Sequence, residues 1–242
     1  FGLAYEMGCE SYAEQNPDVV AEYLPVRHDP AAPTLTNEVT TIAAFDPDVF
    51  ISMTAGNPCL LAVQEVEASG LYDRLSAAFT PSVCKGIAAY MAPAGMAADG
   101  YWIVGGGAKD TTDSVKMKEP FIAFARDLIS DAGEDPGISL TGEGVFRGYA
   151  FTEAFRIADA LPGGMSRTNL MLALRNFKIY HPGLLDGLVT ELKGNSDAYF
   201  VEGSEYSKFN ATDQTWVMVG DVVDANGGTP NCRWDKANGG CR

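Results

Sequence analysis

Residues 45–72, FDPDVFISMTAGNPCLLAVQEVEASGLY, read as a strand, a loop and a helix in succession, which commits the chain to an α/β fold built on a parallel sheet. The run VFISM (49–53) is short and apolar, opens after Asp46-Pro47-Asp48, and predicts a strand buried on both faces, as helices covering a parallel sheet require. Thr54-Ala55-Gly56-Asn57-Pro58 breaks it. From residue 59 the period becomes helical, with Leu60, Val63 and Val66 on one stripe, Glu65 and Glu67 outside it, and Gly70 as the C-terminal stop. Small and polar residues at the carboxyl end of such a strand leave space for a ligand beside backbone N–H groups.

The alternation extends on both sides. Residues 3–15 predict a helix with Leu3, Met7, Cys9 and Tyr12 inward, residues 19–24 a strand, and Thr36 the cap of a helix through Ala44 with Val39, Ile42 and Ala43 inward. Phe79-Thr80-Pro81 reads as a strand remnant and turn, 83–91 as a short helix, and 100–104 (GYWIV) as another strand that ends in Gly105-Gly106-Gly107. Neither GxGxxG nor GxxxxGK[ST] is present, so these glycines predict a flexible crossing rather than a phosphate loop. Helices follow at 119–132, 142–161 and 166–177, and the chain turns to β from 198 through AYFVEG, EYSKFN and 215–223.

Charge and cysteine usage narrow the function. With 17 basic against 32 acidic residues, a net charge of −15 opposes nucleic acid and anionic membranes as partners. No stretch nears the roughly 20 apolar residues of a membrane span. The chain opens at Phe-Gly, with neither Met nor a signal pattern, which predicts that the natural amino terminus lies upstream. Cys59, Cys84, Cys232 and Cys241 lack metal-like CxxC spacing. The last two bracket CRWDKANGGC, which predicts a disulfide closing the tail and an oxidising compartment, while Cys9 reads as a small buried helix residue.

Catalytic signatures are missing. His28 and His181 read as surface loop histidines outside any HExxH, no GxSxG elbow recruits Ser82 or Ser166, and Asp46 and Asp48 read as turn formers. Asp224-Ala225-Asn226-Gly227 lacks the closing Glu of a calcium loop, and Asn210-Ala211-Thr212 fits a glycosylation triplet that arises often by chance. No metal and no cofactor is predicted. Phe1, Ser52, Thr54, Asn57, Thr80 and Ser82 remain as aromatic, hydroxyl and amide groups near strand ends, suited to non-covalent recognition of a small polar molecule.

In order along the chain, FGLAYEMG, DPDVFISMTAGNPCLLAVQEVEASGLY, GYWIVGG, EPFIAFARDL, GYAFTEAFRIADAL, SRTNLMLALRNF and WVMVGDVVD resemble the type I periplasmic binding proteins of ABC transporters. The leucine/isoleucine/valine, amide and urea binders form the most similar branch, and the resemblance covers nearly all 242 residues. It implies an α/β fold of two lobes, each with a mainly parallel sheet flanked by helices, with the ligand held between them. On that plan residues 1–105 are the first segment of lobe two, 106–205 the second segment of lobe one, and 206–242 a return to lobe two with the disulfide-closed tail. The first segment of lobe one is then missing from the N-terminus, and the 142–161 and 166–177 helices lack part of their packing partner.

The resemblance also implies a non-enzymatic, extracytoplasmic solute-binding protein, made with a signal peptide and located in the periplasm or at the cell surface. A lipid anchor on the missing segment is one mode of attachment. Such a protein delivers a small polar metabolite, an amino acid, amide or related compound, to the permease subunits of an ABC importer. The ectodomain of a sensor or receptor and, after it, an α/β hydrolytic enzyme with a spatial triad are the alternatives. Among ligand contacts, Phe1 stands where amino-acid binders often have Tyr, and Thr54, Ala55, Gly56 and Asn57 match a ligand loop. Thr80-Pro81-Ser82 matches the loop that carries an acid for a ligand ammonium, and no acid is there. That departure argues against a zwitterionic amino acid and leaves an amide, a urea-like compound or an aromatic acid open. Thr54 and Asn57 have a second reading as helix caps. Gly105, Gly106 and Gly107 are the expected hinge. Cys59 follows one strand and Cys84 the next strand-end loop, so the two are expected to pair at the cleft rim, with Cys9 free or paired to the missing segment.

Overall fold

The computed structural model describes residues 2–194, 196–224, 234–235 and 240–241. The chain begins with α1 (Leu3–Gln15) and α2 (Thr36–Phe45), and continues through β1 (Val49–Ile51), α3 (Asn57–Ala68) and β2 (Ala77–Pro81). Short helical turns, among them α4 (Ala92–Ala94), lead to β3 (Trp102–Gly105). Three helices follow, α5 (Pro120–Asp131), α6 (Ser139–Ala160) and α7 (Arg167–Arg175), and then a small antiparallel pair, β4 (Lys178–Ile179) with β5 (Thr190–Glu191). β6 (Gly203–Asn210), β7 (Thr215–Met218) and β8 (Val223–Asp224) return to the first sheet, and β9 (Trp234–Asp235) pairs with β10 (Gly240–Cys241).

The main sheet runs β1-β2-β3-β6-β7, parallel through β3 and antiparallel beyond it, with β8 beside the first residues of β6. Its covered face presents Phe50, Ala78, Ile103, Phe209 and Trp216 to Val39 of α2, to Val63 and Val66 of α3, and to Ile87 and Met91 of the turns. A second, smaller core joins Ile122 and Ala125 of α5 to Phe146 of α6, with Phe121 and Val145 against it. Pro58 in the first turn and Gly70 at φ +71 frame α3, the first lacking only an N–H that has no helical partner there and the second accepting a conformation that side chains resist.

Several sequence expectations change. The β1 residues Val49 and Ile51 are 44% and 45% exposed and only Phe50 is buried, because described helices cover the sheet on one side alone. None of α1 is buried, and Leu3 and Met7 face solvent at 55% and 69% exposure, because the helix does not dock on the core. Cys9, expected buried, is half-buried and free. Residues 19–24 form no strand: the Val19 and Val20 N–H groups turn back onto the Asn16 carbonyl instead of pairing with a ladder. Leu35, not Thr36, occupies the N-cap of α2, and the Thr36 hydroxyl donates to Glu65. α3 starts at Asn57 with Gly56 as its N-cap and no side-chain cap, so neither Thr54 nor Asn57 caps it. The expected Cys232–Cys241 bond and the Phe1 contact lie outside the described residues.

Candidate ligand-binding cleft

Pro81 ends β2 and Gly105 ends the parallel neighbour β3, and just beyond them Ser82 and Gly106 line a cavity of about 500 Å3. Ligands of open α/β sheets bind at such carboxyl ends. α6 contributes Ser139, Phe146 and Ala150 to the wall, and Phe177, His181 and Phe200 line the cavity as well. Phe177 and Phe200 stack at 5.2 Å between ring centroids, so the body of the cavity is aromatic and aliphatic.

Its polar edge centres on a buried ion pair. Lys85 Nζ bonds the Glu205 carboxylate and donates to the Ala108 carbonyl at 2.8 Å, while Glu205 Oε2 accepts the Gly107 N–H at 2.5 Å. Glu205 is fully buried, and its carboxylate fills the space a side chain at Gly105 would need. A Cβ at Gly107, φ +77, would strike Leu188. These two glycines therefore have a packing reason beyond the flexibility expected of a hinge. Burial pushes the Lys85 ammonium below its ordinary pKa, and the Glu205 charge opposes that shift.

Asp110 ties the two walls together. Its Oδ2 accepts the Ile87 N–H at 2.6 Å, its Oδ1 accepts the Thr112 N–H and hydroxyl at 2.8 Å, and the Thr112 hydroxyl meets Ser139 Oγ at 3.0 Å. His181, expected on the surface, is 7% exposed within a ring of Phe121, Phe146 and Tyr149. Its Nδ1 accepts the Gly183 N–H at 3.2 Å and its Nε2 lies 2.9 Å from the Phe146 carbonyl, which assigns the neutral Nε2–H tautomer. Burial holds its pKa below the ordinary 6.5.

The folded state thus prefers neutral His181, and the unfolded state binds the proton first. The stability so gained is complete above pH 6.5 and is lost as the pH falls through that value towards the lower folded pKa, at no more than about 1.4 kcal/mol per pH unit. Urea midpoints between pH 7.5 and 5.5 should fall in the parent and stay flatter in His181→Gln. Equal slopes would remove His181 from the account.

Of the residues expected to bind ligand, Ser82 lines the cavity and Thr54, Ala55, Gly56, Asn57 and Thr80 do not. Thr54 is buried, 3.2 Å from Ser52 Oγ and 3.7 Å from Cys84 Sγ, and Gly56 and Asn57 are exposed. Thr80 is 2% exposed in the sheet, its hydroxyl without a partner. Of the hinge glycines, Gly106 is on the wall, with Gly105 and Gly107 packed behind it. The Cys59–Cys84 bond is present, with Cα atoms 5.5 Å apart, and fastens the first turn of α3 to the loop carrying Ser82. Lys85, Asp110, His181 and Glu205 escape sequence reasoning. The one signal is the period of β6, which alternates Gly203, Glu205, Ser207 and Phe209 inward and so turns an acid into the core.

Among the described residues no helix is long and apolar enough to cross a membrane, and no group of three or more His, Cys, Asp or Glu is placed to hold a metal. No protein-family model and no curated sequence matches the chain. Its shape is informative. A branched-chain amino acid ABC transporter protein from Thermus thermophilus with bound valine superposes with a TM-score of 0.69 at 14% identity, over 88% of this chain and 56% of that one. The fold is that of the type I periplasmic binding proteins. A solute-binding protein of an ABC transporter from R. palustris in complex with 4-hydroxybenzoate gives 0.63 at 14% identity, over 90% of this chain and 57% of its own. A leucine-, isoleucine-, valine-, threonine- and alanine-binding protein from Brucella ovis in a closed conformation gives 0.57 at 16%, over 92% and 55%. The chain thus spans a little over half the length of these proteins.

Proposed function

We propose that this chain is the ligand-binding part of an extracytoplasmic solute-binding protein, which captures a small metabolite and hands it to the permease of an ABC importer without chemical turnover. The observation that carries the reading is the cavity at the carboxyl ends of β2 and β3, to whose wall α6 contributes. In this reading residues 1–105 and 206–242 belong to lobe two and 106–205 to lobe one. The buried Cys59–Cys84 disulfide supports an oxidising, extracytoplasmic location.

Phe124 and Leu128 on α5, Phe151 and Phe155 on α6 and Leu172 on α7 are exposed. Apolar surface on that scale calls for a cover, which this reading assigns to a further segment of lobe one. The aromatic and aliphatic part of the cavity, Phe146, Phe151, Phe177 and Phe200, favours a ligand with an apolar body, as the hydroxybenzoate and valine carried by the similar proteins have. Differential scanning fluorimetry of the intact protein against amino acids, amides and aromatic acids tests the reading: a ligand at about 100 times its Kd adds roughly 2.7 kcal/mol of stability. No stabilising compound in any of these classes would end it. Thr54→Ala is expected to leave ligand affinity within about threefold if the cavity alone binds, and a loss of roughly tenfold or more would return the site to the β1 loop.

A further inference from the structure

His181 joins α6 to the 181–185 segment, and we infer that it is a proton-operated catch on the cavity wall. Neutral, it holds the two together. On taking up a proton it lets them part, and the cavity loses affinity for an occupant. That consequence for affinity rests on the reading of the cavity as the binding site.

Two bonds close the catch, and only the neutral ring makes both. Nε2–H donates to the Phe146 carbonyl of α6 at 2.9 Å, and Nδ1 accepts the Gly183 N–H at 3.2 Å. An imidazolium carries N–H on both nitrogens, so protonation sets Nδ1–H against the Gly183 N–H, donor against donor. The surroundings do not answer the new charge. α5 meets the ring with Phe121 and α6 with Phe146 and Tyr149, while Lys109, of like charge, bonds the adjoining Pro182 carbonyl at 3.3 Å. Among the described residues no carboxylate pairs with the ring, and the other charges lining the cavity, Lys85, Asp110, Glu143 and Arg147, have partners of their own. An imidazolium therefore leaves its aromatic cage for water, and since the ring lines the cavity, it moves into space that an occupant fills. The backbone follows it. A Cβ at Gly183 would lie 2.8 Å from the Phe146 ring, so the turn rests tightly on α6. The Lys109 N–H donates to the Gly183 carbonyl at 2.9 Å and the Leu185 N–H to the Gly107 carbonyl at 2.8 Å, which carries any shift of the turn to Gly106 and Ala108 on the cavity wall. Proton and occupant thus oppose each other, each weakening the other by the same factor.

Hydrogen exchange of the intact protein, corrected for the intrinsic effect of pH, reads the catch without a ligand. The amides of Lys109, Gly183 and Leu185 are expected to lose protection roughly threefold or more between pH 7.5 and 5.0, in step with the His181 ring titrated by NMR, with His28 as the reference ring. In His181→Gln their protection should stay level. If that variant fails to fold, agreement of the two curves in the parent decides, and loss of protection that does not follow the His181 titration overturns the inference. Calorimetric titration with L-valine and with 4-hydroxybenzoate, the latter corrected for its own protonation, reads the consequence. Burial holds the ring's pKa below 6.5, so affinity should be complete above that pH and fall in acid by at most about tenfold per pH unit. His181 should titrate lower still in the occupied protein. A compound that binds equally well at both pH values, or better in acid, overturns the catch and leaves the cavity reading standing. Binding of neither compound counts against the cavity, and exchange then decides the catch alone.

Discussion

Glu205→Ala is expected to destabilise the protein by about 3–5 kcal/mol, the usual consequence of removing one partner of a buried ion pair. Among the described residues, the substitution leaves the Lys85 ammonium almost wholly inside with the Ala108 carbonyl as its remaining partner, and takes from the Gly107 N–H its acceptor. The Gly107 N–H is buried away from water and the Lys85 ammonium is left with little of it, so both losses are felt. For a domain of this size each kcal/mol shifts the melting temperature by roughly 2–4 °C, so a fall of about 6–20 °C is expected in a calorimetric scan. Lys85→Met/Glu205→Met is the informative companion, because a neutral, well-filled pair carries no unpaired charge and is expected to recover most of the loss. A fall below about 2 °C in Glu205→Ala would mean that Lys85 finds another partner or reaches solvent, and the network at the crossing would need redrawing.

The strand–loop–helix unit at 45–72 was legible because each of its parts obeys a local rule. The apolar run, the Gly-Asn-Pro break, the 3.6-residue stripe and Gly70 require nothing distant, and β1, α3 and the glycine stop form where those rules put them. What local rules cannot supply is which face of an element meets a partner. Leu3 and Met7 have the spacing of an inward stripe and face solvent, and Val49 and Ile51 fit a doubly covered strand with one side open, because burial depends on the elements that pack against them. The cavity follows the same logic. Ser82 was reachable, since it follows a strand at the carboxyl edge of a parallel sheet. The Lys85–Glu205 pair joins residues 120 positions apart, and the Phe146 wall comes from a helix whose register against the sheet no local pattern encodes. Thr54 and Asn57 show the limit most clearly, as they lie in the expected loop while the cavity opens at the ends of the next two strands.

Removing the Cys59–Cys84 bond by the double substitution Cys59→Ala/Cys84→Ala is expected to lower stability by about 3.5 kcal/mol, the chain-entropy value for a loop of this size. The two cysteines are 25 residues apart and fully buried, so the bond restricts an unfolded segment that contains α3 and β2 without exposing itself to reductant in the folded state. A fall in melting temperature of roughly 7–14 °C follows for a domain of this size. Dithiothreitol should therefore act on the parent only as it unfolds, and should leave the melting of the double variant unchanged. Cys9→Ala serves as the control, since that thiol is half-buried and unbonded, and is expected to shift the transition by less than about 2 °C. The bond also fixes the first turn of α3 against the loop of Ser82, and Lys85 follows directly on Cys84, so its loss should loosen the polar edge of the cavity before the sheet. Hydrogen exchange resolved to peptides would then rise first over residues 82–86, ahead of β2 and β3. Uniform acceleration across the sheet, or melting within 2 °C of the parent, would show that packing of α3 alone holds that loop and that the disulfide adds little to either stability or the cleft.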